Sequence, residues 1–270
     1  VGGAGKTPTA LFVSKFLKRN KKTYCFLSKG YKGTINEPTM VDVDLHSAKD
    51  VGDEPLLLAE YGDTYVAKNR VDGLKYINSL AWKYDYIIMD DGLQNPTFEK
   101  DYSIVVINGK NGFGNNMLFP SGPLRERLKS IKNRINLVVI IDEDRYNIVS
   151  LCKKYKLKYV LLETKYNLQQ CLYENKFIAF TGIANPNKFF DSLEECSIKT
   201  IKNISFPDHY LFHNSDIEIL IDMTKNWKYK LITTKKDWVR LKKKYKSNIF
   251  YFDMYLKLSS KQHKNYEQTY

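Results

Sequence analysis

Five short runs in the first half of the chain are apolar almost without a break: TYCFLS (23–28), TYVAK (64–68), YDYIIMD (84–90), SIVVIN (103–108) and NLVVIID (136–142). A strand with one face in water alternates apolar and polar residues. A strand covered on both faces reads as a continuous apolar run rich in β-branched and aromatic side chains. Helical patterns lie between these runs, at 54–61 and 72–83. Strand and helix in alternation, with both strand faces covered, predict an α/β fold: a doubly wound, mostly parallel sheet.

YVLLETKY (159–166) reads as a further strand, and a second series follows. It comprises strand KFIAFTG (176–182), helices at 187–196 and 216–227, and strands KLITT (230–234) and NIFYFD (248–253). The 270 residues exceed the roughly 150 expected of one domain. The sequence therefore suggests a first lobe over 1–170, a smaller α/β lobe over 171–258 and a frayed polar tail over 259–270.

The first residues, VGGAGKTP, carry the most specific local chemistry. Gly2, Gly3, Ala4 and Gly5 leave the backbone N–H groups open, and Lys6 and Thr7 follow at once. In a phosphate-binding loop the N–H groups cradle the phosphates, the lysine reaches the terminal ones and the Thr hydroxyl meets Mg²⁺. Ala10, Leu11, Val13, Phe16 and Leu17 then fit one face of a helix, whose N-terminus favours an anion. The competing reading is a glycine turn that happens to precede Lys-Thr. Such a loop normally follows a buried strand, so a strand is expected upstream of Val1.

Lys and Arg (43) exceed Asp and Glu (30), a formal charge of +13. That excess favours anionic partners such as a nucleotide, a phospholipid surface or a nucleic acid. The densest run, LKKKYK (241–246), reads as a solvated helix face or a binding patch. Twenty tyrosines beside the positive charge raise single-strand binding as an option. Most of them sit in strand-like runs, however, and with no recognition motif no nucleic-acid partner is expected. Cys25, Cys152, Cys171 and Cys196 have no metal-ligand spacing, as in a reduced intracellular protein. No apolar run reaches the ~18 residues needed to cross a bilayer.

Three clusters could do chemistry. Asp90 and Asp91 end a strand-like run and precede a Gly turn. The C-terminal ends of strands are where α/β sheets bind ligands, so the pair suits Mg²⁺ or is simply a polar turn. In VGDEPLLLAEYG, Asp53 either caps the helix that Pro55 begins or supplies, with Glu54, the carboxylates a phosphoryl transfer needs. His209 and His213 in FPDHYLFHNSD are structural loop histidines or part of a catalytic pair.

Taken together and in order, VGGAGKTP, LSKGYKG (27–33), VGDEPLLLA (51–59), DDGLQ (90–94), NGFGNNMLFPSGPLRE (111–126), FTGIANPNKFF (180–190), FPDHY (206–210) and TKKDWVRL (234–241) resemble the tetraacyldisaccharide 4'-kinase family of lipid A biosynthesis. The resemblance spans nearly the whole chain. It implies a P-loop NTPase-like fold and an ATP- and Mg²⁺-dependent lipid kinase that phosphorylates the 4'-hydroxyl of a tetraacyldisaccharide 1-phosphate. It also implies work at an anionic membrane surface, the cytoplasmic face of the bacterial inner membrane; a monomer is expected. Family members carry a membrane-associated helix and a sheet strand ahead of the P-loop, so both are expected upstream.

Carried over by motif, Gly2 to Thr7 hold the nucleotide, with Lys6 also catalytic. Asp53 resembles the general base and His209 its partner from the second lobe. Thr7, Glu54, Asp90 and Asp91 resemble the metal side, and Gln94, Asn95 and Arg125 the lipid headgroup contacts. The sequence departs from the family pattern at Asn95 for His, Lys29 for Arg, Lys32 for Gly, Ala184 for Gly, Arg127 for Pro and Lys235 for Glu. A GTP switch protein is the principal rival, because TKKD (234–237) mimics a guanine-reading motif.

Overall fold

The computed structural model describes residues 4–167, 171–225 and 229–260. Twelve strands occur among them: β1 (Tyr24–Ser28), β2 (Thr39–Met40), β3 (Thr64–Val66), β4 (Tyr86–Met89), β5 (Ile104–Asn108), β6 (Leu137–Ile141), β7 (Tyr159–Tyr166), β8 (Phe177–Thr181), β9 (Thr200–Ser205), β10 (Lys230–Thr234), β11 (Ile249–Phe252) and β12 (Met254–Leu258). They form three four-stranded sheets, and the α/β architecture of mostly parallel pairs expected from the sequence is the one observed.

The chain builds two compact units from interleaved stretches. One takes the described parts of Val1–Asn20, Met89–Lys165 and Met254–Tyr270, and the other takes Lys21–Ile88 with Tyr166–Asp253. They are not the two consecutive lobes suggested by a boundary near residue 170. The reason lies in side-chain packing: Val41, Val51, Leu56 and Val66, from the first third of the chain, share a core with Val239 and Trp238.

The first unit holds the sheet β12–β7–β6–β5, with β5, β6 and β7 parallel. Its central strand shows why the run at 136–142 is continuously apolar. Val138 and Ile140 point into one core with Ile107, Ile131, Ile148 and Cys152. Val139 and Ile141 point into another with Leu162, Leu256 and Phe12. Phe12 belongs to the helix Lys6–Arg19, so this helix is seated by the second face of β6. Ser259, the first residue of the expected tail, is buried; its N–H donates to the Leu161 carbonyl and its hydroxyl to Glu163. That hydroxyl holds the Glu163 carboxyl below the usual range. Residues 261–270 lie outside the described residues.

The second unit holds β11–β10–β8–β9, all parallel, and β2–β3–β1–β4, in which β1 and β3 are parallel and β2 is antiparallel to β3. β8 is buried throughout. Phe177 and Ala179 pack with Phe189 and Leu193 of the helix Pro186–Glu195. Ile178 and Phe180 face Ile217 and Leu220 of the helix Asn214–Lys225. One helix on each face is the doubly wound plan, and each fully buried large apolar side chain contributes about 1.5–3 kcal/mol. Helix Asp53–Ala59 packs against helix Lys235–Arg240 in the same unit.

The lysine run falls on a short helix, Lys243–Lys246; Lys243 and Lys244 are exposed and Tyr245 is buried. Burial lowers the Lys246 ammonium's pKa. Cys25, Cys152 and Cys196 are free thiols. Burial, with Asp63 nearby, pushes the Cys25 thiol up to about 12, and burial with Asp144 pushes Cys152 up to about 11, so neither is a reactive thiolate. Among the described residues no helix is long and apolar enough to cross a membrane.

Candidate active site

The phosphate half lies in the first unit. Gly5 caps the helix Lys6–Arg19 with a left-handed backbone, φ +94°. A Cβ there would stand 2.4 Å from Ile141 Cδ1, so both conformation and space demand glycine. Within the first helical turn Thr9 donates its N–H to the Gly5 carbonyl, and Pro8 has none to offer. The N–H groups of Lys6 and Thr7 therefore point out of the helix start, where an anion is favoured. Ala4 and Gly5 are described, whereas Gly2 and Gly3 lie outside the described residues.

Thr7 Oγ1 donates to Asp90 Oδ2 at 3.4 Å. Lys6 Nζ stands 3.9 Å from Asp91 Oδ1, a half-exposed and weak pair. Asp91 has a left-handed backbone, φ +53°, and its two oxygens receive Arg125 in a fork, at 3.2 and 3.1 Å. Arg125 also donates to Gln94 Oε1 at 3.3 Å. Two of the three expected headgroup residues, Gln94 and Arg125, thus meet each other, and Arg125 also meets Asp91. Asn95 uses its side-chain oxygen on its own turn, accepting from the Thr97 N–H and hydroxyl.

The carboxylate–imidazole half lies wholly in the second unit. Gly52, φ +90°, is the helix N-cap, so Asp53 is not the cap. A Cβ on Gly52 would stand 2.6 Å from the Tyr31 carbonyl, so glycine here, with Gly30 and Gly33, lets the SKGYKG loop approach. The side chain of Asp53 is free to turn inward, where it is only 5 % exposed. Its Oδ2 meets His209 Nδ1 at 2.6 Å, Arg240 Nη2 at 2.7 Å and Lys236 Nζ at 3.9 Å. Its Oδ1 takes no hydrogen bond among the described residues. His209, itself at φ +61°, is tied by its N–H to the Gly182 carbonyl, and Tyr31 stands edge-on to its ring. Asp53 and His209 are not on the different lobes expected from the sequence; they belong to one compact unit, because β1, β3 and β8 all do.

Of the four expected metal donors, Thr7, Asp90 and Asp91 belong to the first unit and Glu54 to the second. Thr7 and Asp90 meet, Asp91 is occupied by Arg125, and Glu54 stands in the second unit, 3.9 Å from Lys236. No group of three or more His, Cys, Asp or Glu side chains able to hold a metal occurs among the described residues. The Thr7 hydroxyl and Asp90 carboxylate are hard oxygen donors and suit Mg²⁺, which keeps most of its waters. His213 is a helix-start residue: its N–H donates to Asp216.

A model of the tetraacyldisaccharide-1-P 4'-kinase family matches residues 1–269. The chain belongs to this kinase family. The tetraacyldisaccharide 4'-kinase of Parvibaculum lavamentivorans is 38% identical over 242 residues, 89% of this chain and 70% of that protein. That of Bradyrhizobium diazoefficiens is 39% identical over 246 residues, 90% and 72% of the two chains. That of Rickettsia typhi is 34% identical over 240 residues, 89% and 74%. Among solved structures, the "apo" form of LpxK from Aquifex aeolicus in complex with ATP matches with a TM-score of 0.75 at 27% identity, over 100% of this chain and 86% of that one.

Within this 4'-kinase family member, TKKD does not read a base. Asp237 is fully buried and accepts from the Thr181 hydroxyl at 2.6 Å, the Thr234 hydroxyl at 2.7 Å and the Gly182 N–H at 3.1 Å. It closes a helix start and, with its other oxygen buried against Arg240, is out of reach of a guanine, which removes the main support for a GTP switch. The residue the sequence reading passed over is Arg240. Its signal was present in KKDWVR: Asp237 and Arg240 are three apart and so share a helix face.

Proposed function

We propose that the protein transfers the γ-phosphate of ATP to the 4'-hydroxyl of a tetraacyldisaccharide 1-phosphate in lipid A biosynthesis. The observation that carries this reading is the 2.6 Å contact between Asp53 and His209, 156 residues apart in the chain. It joins the GDEP and FPDH motifs into one carboxylate–imidazole pair.

Asp53 Oδ1 takes the proton from the 4'-hydroxyl as its oxygen bonds to the γ-phosphorus. The bridging bond to the β-phosphate breaks and ADP departs. His209 donates from Nδ1 to Oδ2 and fixes which carboxylate oxygen faces the acceptor. Lys6 and the N–H groups of Lys6 and Thr7 bind phosphate oxygens and offset their charge. Thr7 and Asp90 would hold Mg²⁺, which supplies charge neutralisation on the phosphates. Arg125, with Gln94 beside it, pairs with the phosphate of the lipid headgroup, and Asn95 adds its amide N–H. Incubation with γ-labelled ATP and the lipid in mixed micelles tests this: label passes to lipid, and chelation of Mg²⁺ stops it. Label transfer from GTP in preference to ATP would contradict it.

The protein acts at the anionic cytoplasmic face of the inner membrane as a monomer. The surface that supports this reading is the loop before Arg125. Met117, Leu118 and Phe119 are 54%, 40% and 72% exposed. Their backbone is nonetheless fixed: Phe119 N–H donates to the Leu124 carbonyl, Leu124 N–H to Met117 and Gly122 N–H to Leu118. Exposed Arg125, Arg127 and Lys129 follow. An apolar tip beside cations suits an anionic lipid surface, each cation adding about 1 kcal/mol. Phe119→Ser is expected to weaken binding to phosphatidylglycerol-containing vesicles roughly tenfold or more, from the lost burial of one aromatic side chain. Unchanged sedimentation with vesicles would remove the loop from the membrane contact.

A further inference from the structure

Arg240 carries no role so far, yet its side chain is fully buried between two carboxylates. Nη1 stands 3.0 Å from Asp237 Oδ1 and donates to the carbonyls of Gly182 at 3.1 Å and Tyr210 at 3.4 Å. Nη2 stands 2.7 Å from Asp53 Oδ2. The Gly182 carbonyl also receives the His209 N–H at 3.0 Å, and Tyr210 is the next residue after His209. One guanidinium therefore touches the carboxylate of the pair, the carbonyl that holds the His209 N–H and the carbonyl of the residue after His209.

We propose that Arg240 is a positioning residue for phosphoryl transfer, which locks Asp53 and the His209 backbone into one geometry and acts on the reaction through Asp53. The inference rests on the reading of Asp53 as the base. Arg240 does not face the reactants. A buried carboxylate that met only His209 could swing, whereas a second contact on the same Oδ2, from the buried guanidinium, restricts its orientation. The contact from Nη2 is close but off line for a hydrogen bond, since Nη2 makes none of good geometry. Charge and proximity rather than directed bonding thus carry it, so a shorter ammonium should replace it in part.

The test is a double-mutant cycle on phosphate transfer to the lipid, with kcat and both KM values measured for Arg240→Met, Arg240→Lys, Asp53→Ala and Asp53→Ala/Arg240→Met. A misplaced carboxylate is expected to lower kcat of Arg240→Met by roughly ten- to a hundredfold, with KM for ATP within about twofold of wild type. Arg240→Lys should recover most of that loss. In the Asp53→Ala background the Arg240→Met change should have no further effect on kcat, because its route of action is already gone. Thermal melts identify any variant that does not fold; should Arg240→Met be one, a kcat of Arg240→Lys between wild type and Asp53→Ala, together with a shifted His209 Nδ1 nitrogen resonance, supports the role. Wild-type kcat in Arg240→Met or, where that variant does not fold, wild-type kcat and resonance in Arg240→Lys overturn it, as does an equal loss in both backgrounds. A wild-type kcat in Asp53→Ala would instead remove the base on which the inference stands.

Discussion

Asp53→Ala is expected to lower kcat by roughly 10²–10⁴-fold, the span of a lost general base. That corresponds to about 3–5 kcal/mol of transition-state stabilisation. Binding of Mg²⁺-ATP, followed by titration of a fluorescent ATP analogue, should stay within about twofold, since the groups assigned to phosphate, Lys6, Thr7 and Asp90, are held by their own unit and not by Asp53's. The physical basis is the asymmetry of the carboxylate. Oδ2 is held by His209 and Arg240, and Oδ1 is the oxygen left for a proton. Asp53→Asn keeps the shape and an acceptor but loses the basicity, and should fall nearly as far. A kcat within about threefold of wild type in both variants would remove Asp53 from the base role.

The largest effect on stability is expected at Asp237. Its carboxylate is fully buried, receives two hydroxyls and one backbone N–H, and faces the equally buried Arg240. Removing one partner of a buried ion pair costs up to about 3–5 kcal/mol, and here Arg240 is left with Asp53 alone. Asp237→Ala also leaves the Gly182 N–H and the Thr181 hydroxyl without that acceptor. Asp237→Asn retains an oxygen for those donors and should lose less. Urea unfolding read by far-ultraviolet circular dichroism measures both, and a midpoint of Asp237→Ala equal to wild type would contradict the buried network.

The sequence carried the elements with the strongest burial signal. β7 and β10 fall at the expected residues, 159–166 and 230–234, and β6 and β8 within one residue at each end. Each of these strands has an apolar run that packs on both faces, and that pattern survives without knowledge of their neighbours. β9 was missed because TIKNIS is largely exposed. β12, at the edge of its sheet, mixes Met, Tyr and Leu with Lys. The grouping of strands was not readable either. β4 joins β1 while β5 joins β6, and nothing local separates YIIM from IVVIN.

The site shows the same division. Motif order pointed to Asp53 and His209, but their contact needed Gly52 to turn the chain and β8 to carry Gly182 to the His209 N–H. Lys235, which departs from the family pattern, pairs with Glu60 at 2.6 Å and lies over the rings of Tyr251 and Trp238, so its place is explained by packing rather than chemistry.

The position of the new phosphate decides whether the protein is a 4'-kinase. Wild-type protein, Mg²⁺-ATP and tetraacyldisaccharide 1-phosphate should yield one product whose added phosphorus correlates with the proton at C4' in a phosphorus–proton nuclear magnetic resonance experiment. A phosphate attached elsewhere on the lipid, or ADP released with no lipid product, would contradict the account.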